Sequence, residues 1–229
     1  MMNGTWKRVA TLLFAGVMLF SLAAGTSAAT TSGKDYTSPV DFATLQKVNP
    51  DIYAWIDIPD TDISYPVLNR ADNNEFYLKH DSLGKYDKKG ALFTEDYNSL
   101  DFEDPVTIIY GHNTINGSLF GTLEKDYSDQ KFFKKHQKIM IYLPDREYEY
   151  KIFAAVPYSN VHLLYYYNFS RPRVFNAVFK DMLSVRALNA NIDKTVAFDN
   201  TDDILILSTC LNGNSNKRYL VLAVKTAAK

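Results

Sequence analysis

The chain has 229 residues and a formal net charge of −1, with 46% hydrophobic and 14% aromatic residues, among them 16 Tyr and 14 Phe. That length holds one domain with a substantial core plus a tail, and the aromatic content suits a β-rich globule. A near-neutral balance argues against nucleic acid or an anionic membrane surface as a partner, and the doublets Lys88-Lys89 and Lys134-Lys135 read as solvated loop charges.

The N-terminus reads as a targeting segment, because Lys7 and Arg8 precede an uncharged run over 9–24 that small and polar residues follow. Residues 1–29 are expected to form a signal or membrane anchor, 30–37 a polar linker and 38–229 the folded domain. The run is longer than a signal-peptide core and shorter than a full span, so a cleaved peptide and a retained anchor both stay open. Basic residues ahead of it predict that the bulk of the chain is exported.

Ser38-Pro39-Val40-Asp41 has the form of a helix start, with Ser38 as cap and Pro39 in the first turn. Phe42, Leu45 and Val48 give that helix an apolar stripe, and Asn49-Pro50 ends it. From there the pattern is β: strands over 53–58 and 63–68 around the turn Pro59-Asp60-Thr61-Asp62, with Pro66 confining the second to an edge or a bulge. A short helical turn fits 72–78 and a strand fits 91–94. Residues 106–110 are the clearest early strand, and Gly111-His112-Asn113 follows; Gly111 is expected to adopt a backbone angle that turns His112 out at the strand tip. A segment of mixed helical character containing Leu119, Phe120 and Leu123 leads to a hairpin over 139–143 and 147–153, where Glu147, Glu149 and Lys151 alternate with Tyr148, Tyr150 and Ile152.

Between 157 and 197 an insertion interrupts the strands. Ser170 and Pro172 open a helix in which Val174, Phe175, Val178, Phe179, Met182 and Leu183 share one face. Just before it, Tyr165-Tyr166-Tyr167 could pack under that helix or form the wall of a binding groove. Apolar runs at 204–207 and 219–224 close the chain as an antiparallel hairpin. Seven or eight short strands with two or three helices indicate a mainly β fold with helices, an antiparallel-dominated barrel or sandwich.

The hairpin concentrates chemistry. Cys210, the single cysteine, ends its first strand, and Arg218 begins its second. In an exported protein a solitary thiol has no partner within its chain, and polar, cationic surroundings stabilise thiolate. Of His80, His112, His136 and His162, only His112 also ends a hydrophobic strand; none has a partner at metal spacing, so no metal or cofactor is expected. If the strands ending in His112 and Cys210 run the same way, a nucleophile, a proton carrier and a fixed cation meet on one rim.

These residues carry a resemblance. Tyr110-Gly-His112-Asn113, Leu207-Ser-Thr-Cys210, Arg218-Tyr-Leu-Val-Leu, and Trp55-Ile-Asp-Ile with Tyr65-Pro-Val, in this order, resemble the sortases, cysteine transpeptidases of Gram-positive surfaces, and most of all their class B. Ile206 stands where the family pattern Thr-Leu-x-Thr-Cys has its first Thr. The resemblance implies an eight-stranded sortase barrel with an N-terminal helix and a helix inserted ahead of the cysteine strand. It also implies His112, Cys210 and Arg218 as the catalytic trio, with Tyr110, Ser208 and Thr209 lining the substrate groove. The implied partners are secreted proteins bearing a C-terminal sorting signal and an amine on a cell-wall peptide or a pilin lysine. An exported Cys–His hydrolase and a non-catalytic tethered module are the competing readings.

Overall fold

The computed structural model describes residues 36–229. The targeting segment expected over 1–29 and most of the linker lie outside them, and among the described residues no helix is long and apolar enough to cross a membrane.

Eight strands close into a ring: β1 (Ile52–Asp57), β2 (Ser64–Leu68), β3 (Leu92–Phe93), β4 (Val106–Tyr110), β5 (Lys138–Tyr142), β6 (Glu147–Ser159), then β8 (Ile204–Leu211) and β9 (Asn214–Ala228). Their order is β5-β1-β2-β3-β4-β8-β9-β6, and the β5–β6 pairing shuts the barrel. A two-residue strand, β7 (Asn191–Ile192), adds to β6 at Ala154 and Ala155, past the point where β5 stops. The β2–β3 and β4–β8 pairs are parallel and the rest of the ring is antiparallel. Pro66 is tolerated because β3 reaches only Val67 and Leu68, so no ladder on that side needs its missing N–H.

Alternation along each strand sorts the side chains into two cores. Leu205, Leu207, Tyr219, Val221 and Ala223 point into the barrel with Ile109, Phe120 and Tyr150. Ile204, Ile206, Leu220, Leu222 and Val224 point outward, where α5 (Pro172–Met182) covers them with Phe175, Val178, Phe179 and Met182. That cover explains why β6 runs to Ser159 and not only to 153: from Ile152 to Pro157 it is buried on both faces, so the alternation that marks a half-exposed strand disappears. Residue 206 lies in this outer core, so Ile206 packs under the insertion.

The helix starts lie slightly inward of their expected positions. α1 (Phe42–Val48) is capped by Asp41, whose carboxylate accepts from the Thr44 amide at 3.0 Å and its hydroxyl at 2.7 Å, and not by Ser38. Arg171, not Ser170, precedes α5, with Pro172 in the first turn. The residues between the early strands and the hairpin form α2 (Leu123–Ser128) and α3 (Gln130–Lys135). A short α4 (Leu163–Tyr166) carries Tyr165 and Tyr166, which are 65% and 67% exposed, so neither packs under the helix that follows; Tyr167 is half-buried against the outer core.

Candidate active site

The β8–β9 ladder places Cys210 directly opposite Arg218, at a Cα separation of about 5 Å. Beyond that pair the register shifts: Leu211 next meets Asn214, across a turn made by Asn212 and Gly213, the latter at φ +72°. Asp203, a conceivable alternative partner for Arg218, lies seven residues back along β8, about 23 Å away at strand rise, and pairs with Lys225 at 2.6 Å. The thiol is free and partly exposed.

His112 arrives by non-local pairing. β4 runs parallel to β8 in unbroken register from Val106 and Ile204 to Tyr110 and Ser208. The Gly111 amide continues the ladder by donating to the Ser208 carbonyl at 3.1 Å. Two residues further, Asn113 donates through Nδ2 to the Cys210 carbonyl at 3.0 Å. The imidazole between them is therefore held at the tip of the cysteine strand. Gly111 serves this geometry by its size and not by a left-handed backbone, since its φ is unremarkable and a Cβ there would sit 2.3 Å from Leu92 Cδ2 and 2.7 Å from Phe120 Cδ2.

His112 Nε2 lies 2.9 Å from the Leu78 carbonyl oxygen. A carbonyl only accepts, so this contact puts the hydrogen of the neutral ring on Nε2 and leaves Nδ1 to take up and return a proton. Leu78 ends a single 3-10 turn, Phe76–Leu78. Buried Tyr77 in that turn donates to Asp51 at 2.6 Å and accepts from Asn49 Nδ2 at 2.9 Å, which pins the turn to the α1–β1 junction. The N-terminal helix thus helps to orient the histidine from a distance.

Cys210, Arg218, His112, Tyr110, Ser208 and Thr209 all line one groove of about 330 Å³. Ser208 shares the outward face with Cys210, and Tyr110 is its register partner on β4. Thr209 is paired with fully buried Tyr219 of the barrel interior and its hydroxyl is buried, so it offers the groove main chain and not side chain. Among the described residues no cluster of His, Cys, Asp and Glu could hold a metal ion.

The groove also contains a pair that the sequence leaves unmarked. Glu95 Oε1 lies 3.0 Å from His162 Nε2, and both residues line the wall. His162 caps α4 by accepting the Tyr165 amide on Nδ1 at 3.2 Å, which places its ring hydrogen on Nε2, facing the carboxylate. Burial holds the Glu95 carboxyl above its ordinary range, opposed by His162 and Tyr110. Burial first, then the Glu95 charge, pushes the Tyr110 phenol up, while Arg218 pulls it down. Nothing in the sequence sets His162 apart from His80 or His136, because its partner Glu95 is 67 residues away.

Residues 56–226 match the sortase domain family. The chain belongs to the sortase family. It is 35% identical to sortase B of Listeria monocytogenes over 166 residues, which is 72% of this chain and 65% of the Listeria protein, just under two thirds of that relative's length. It is 30% identical to sortase B of Staphylococcus aureus over 184 residues, covering 80% and 73% of the two chains. The sortase is similar in structure to Clostridium perfringens sortase B, with a TM-score of 0.71 at 26% identity over 81% of this chain and 99% of that one. It is also similar to a Staphylococcus aureus sortase B–substrate complex, with a TM-score of 0.69 at 27% identity over 83% and 86%. The eight-stranded barrel expected from the resemblance is the fold of this sortase, and its relatives are of class B.

Proposed function

We propose that this sortase is an exported cysteine transpeptidase that cleaves a sorting signal near the C-terminus of a secreted protein and passes the acyl group to an amine. The thiolate of Cys210 attacks the scissile carbonyl, the C–N bond breaks, and an acyl thioester remains on sulfur. His112, through Nδ1, protonates the leaving amine and later takes a proton from the incoming one. Arg218, opposite Cys210 on β9, supplies fixed donors to the oxyanion of each tetrahedral intermediate. Tyr110 and Ser208 line the acyl side of the groove by their side chains, and Thr209 does so by its main chain. The acceptor is an amine on a cell-wall peptide or a pilin lysine, and residues 1–29 hold the enzyme at the membrane with the barrel outside.

The observation that carries this reading is the meeting of Cys210, Arg218 and His112 on one groove through two different strand pairings. The test incubates the full chain with a library of short peptides and an amine and reads ligated product by mass spectrometry. We expect a thioester adduct on Cys210 and a ligated peptide, both absent from Cys210→Ala, which should melt at the wild-type temperature. Turnover that yields only hydrolysed peptide at saturating amine would replace the transferase with a hydrolase; no adduct with any peptide would remove the enzyme.

A further inference from the structure

The wall that His162 and Glu95 give the groove has a second hollow beside it. The lining of the groove ends at Leu163, and the lining of the hollow begins at the next residue of α4, Leu164. The His162 ring touches both: Tyr110, which lines the groove, is 6.4 Å away between ring centroids, and Tyr97, which lines the hollow, is 5.4 Å away. Tyr97 stands edge-to-face with Tyr165 at 6.4 Å, and Tyr165 with Tyr166 at 5.0 Å. A row of rings thus leads from beside the cysteine strand onto the surface, where Tyr97, Tyr165 and Tyr166 are largely exposed. Contiguous exposed apolar surface marks interaction sites.

With Asn98, Asp104 and Pro105 these three tyrosines border a hollow of about 340 Å³. Its floor is fixed. Buried Asn98 donates through Nδ2 to the Val106 carbonyl at 2.8 Å and accepts the Ile108 amide on Oδ1 at 3.1 Å, while Asp104 accepts the Ser99 amide at 2.7 Å. The tyrosine side is fixed by the α4 cap, since His162 accepts the Tyr165 amide and is itself held by Glu95. Among the described residues no Lys or Arg lines the hollow, whereas Asp104 does, and Asp101 and Glu103 stand in the same loop.

We infer that this hollow is a second docking site for the donor protein, taking the stretch just N-terminal to the residues held in the groove, and that it selects an extended, proline-containing segment without acidic side chains. The inference rests on the transpeptidase reading above. In that reading His112 protonates the leaving amine, so the C-terminal part of the donor departs past His112. The acyl part, with its N-terminal continuation, fills the remainder of the groove along Ser208, Tyr110 and His162. A chain that continues past His162 meets Tyr97 next. At about 3.3 Å per extended residue, about three residues bridge Tyr110 to Tyr97 and about three more reach Tyr166. A proline-containing chain is already extended, has no internal hydrogen bonds to break, and docks in grooves lined by aromatic rings. The tyrosine hydroxyls donate to its free carbonyls, and the acids of the 101–104 loop repel an acidic segment.

The experiment uses the full chain and the donor peptide returned by the library, either unextended or carrying one of three N-terminal extensions of equal length: Pro-Ala-Pro-Tyr-Pro-Ala, Gly-Ser-Gly-Ser-Gly-Ser and Glu-Ala-Glu-Ser-Glu-Ala. Thioester formation on Cys210 is followed by mass spectrometry against donor concentration. Two added ring contacts should raise kcat/KM for the proline extension about five- to thirtyfold above that for the Gly-Ser extension, and the acidic extension should fall below both. The ratio of proline to Gly-Ser extension should shrink toward one in Tyr165→Ser/Tyr166→Ser, at two exposed positions. Tyr97→Ser, across the hollow, should lower it as well, so the result does not hang on α4 alone. Equal kcat/KM for the two extensions in the wild type, or a preference undiminished in either variant, would overturn the inference. The unextended donor separates the two readings. If it forms no thioester, both fall; if it does and the proline extension brings no gain, only the second docking site falls.

Discussion

Replacing Gly111 by Ala tests whether the position of His112 is set by packing beneath it. The new Cβ would lie 2.3 Å from Leu92 Cδ2 and 2.7 Å from Phe120 Cδ2. Carbon atoms in contact prefer about 3.5–4.0 Å, so either Leu92 or the backbone must yield by about 1.2 Å. Leu92 and Phe120 are fully buried and Leu92 sits in a paired strand, so neither moves freely. Overpacking a core costs about 1–3 kcal/mol, and at about 2–4 °C per kcal/mol for a domain of this size the melting temperature should fall by about 2–12 °C. If the backbone yields, the adjacent imidazole shifts by about 1 Å relative to Cys210, enough to lower the rate about a hundredfold. The assays are circular-dichroism melting and the ligation rate with the donor peptide. The double variant Leu92→Ala/Gly111→Ala makes room for the methyl and should recover much of the rate. A Gly111→Ala enzyme with rate and melting temperature near wild type, or a double variant no faster than the single one, would refute the packing account.

Asn113→Ala removes the tie between the histidine loop and the Cys210 carbonyl; a stability loss of about 1–2 kcal/mol in urea titration should accompany a fall in kcat larger than the change in donor KM. Arg218→Lys keeps the charge but loses the planar fork, and kcat should drop about 100- to 1,000-fold; full activity would remove Arg218 from the oxyanion role. For Glu95 the folded-state carboxyl is held above its ordinary 4.5 by burial. Above that value the native state binds more protons than the unfolded chain, so stability falls as pH rises through the window that opens there. Glu95→Gln should flatten this slope in urea midpoints measured upward from about pH 4, whereas parallel pH curves for the two proteins would contradict the burial effect.

What the sequence reveals divides along the range of the interactions. The Cys210–Arg218 pairing is local, one hairpin between two apolar runs, and could be read without knowing anything else about the sheet. His112 is different: its strand pattern is plain, but that β4 lies parallel beside β8 is a fact about residues 98 apart in register, and no local pattern encodes it. Glu95 and His162 are hidden for the same reason. β6 past 153 was concealed by burial on both faces, which erases the period that identifies a strand. The role of Gly111 is set by Leu92 and Phe120 standing against it, and a sequence shows that a residue is small but not what faces it. The lysine doublet Lys88-Lys89 is exposed, as a solvated loop charge should be.

The insertion does more than add a helix. α5 packs its apolar face on the outward side chains of β4, β6, β8 and β9, and this outer core includes Ile108 and Leu220, which are also the floor of the groove. Along β8 the outward positions run Ile204, Ile206, Ser208, Cys210, and burial falls from complete to partial along that row. The groove begins where the cover ends. A thiol placed four residues earlier, at position 206, would be sealed beneath the helix, and one beyond the hairpin turn would lose the opposing guanidinium. Burial of the floor keeps strand tips from moving, which fixes the distances between the three reacting groups. One wall, Asn160, Val161 and His162 leading into α4, is left to irregular chain, where change in sequence can alter which chain is accepted without disturbing those distances.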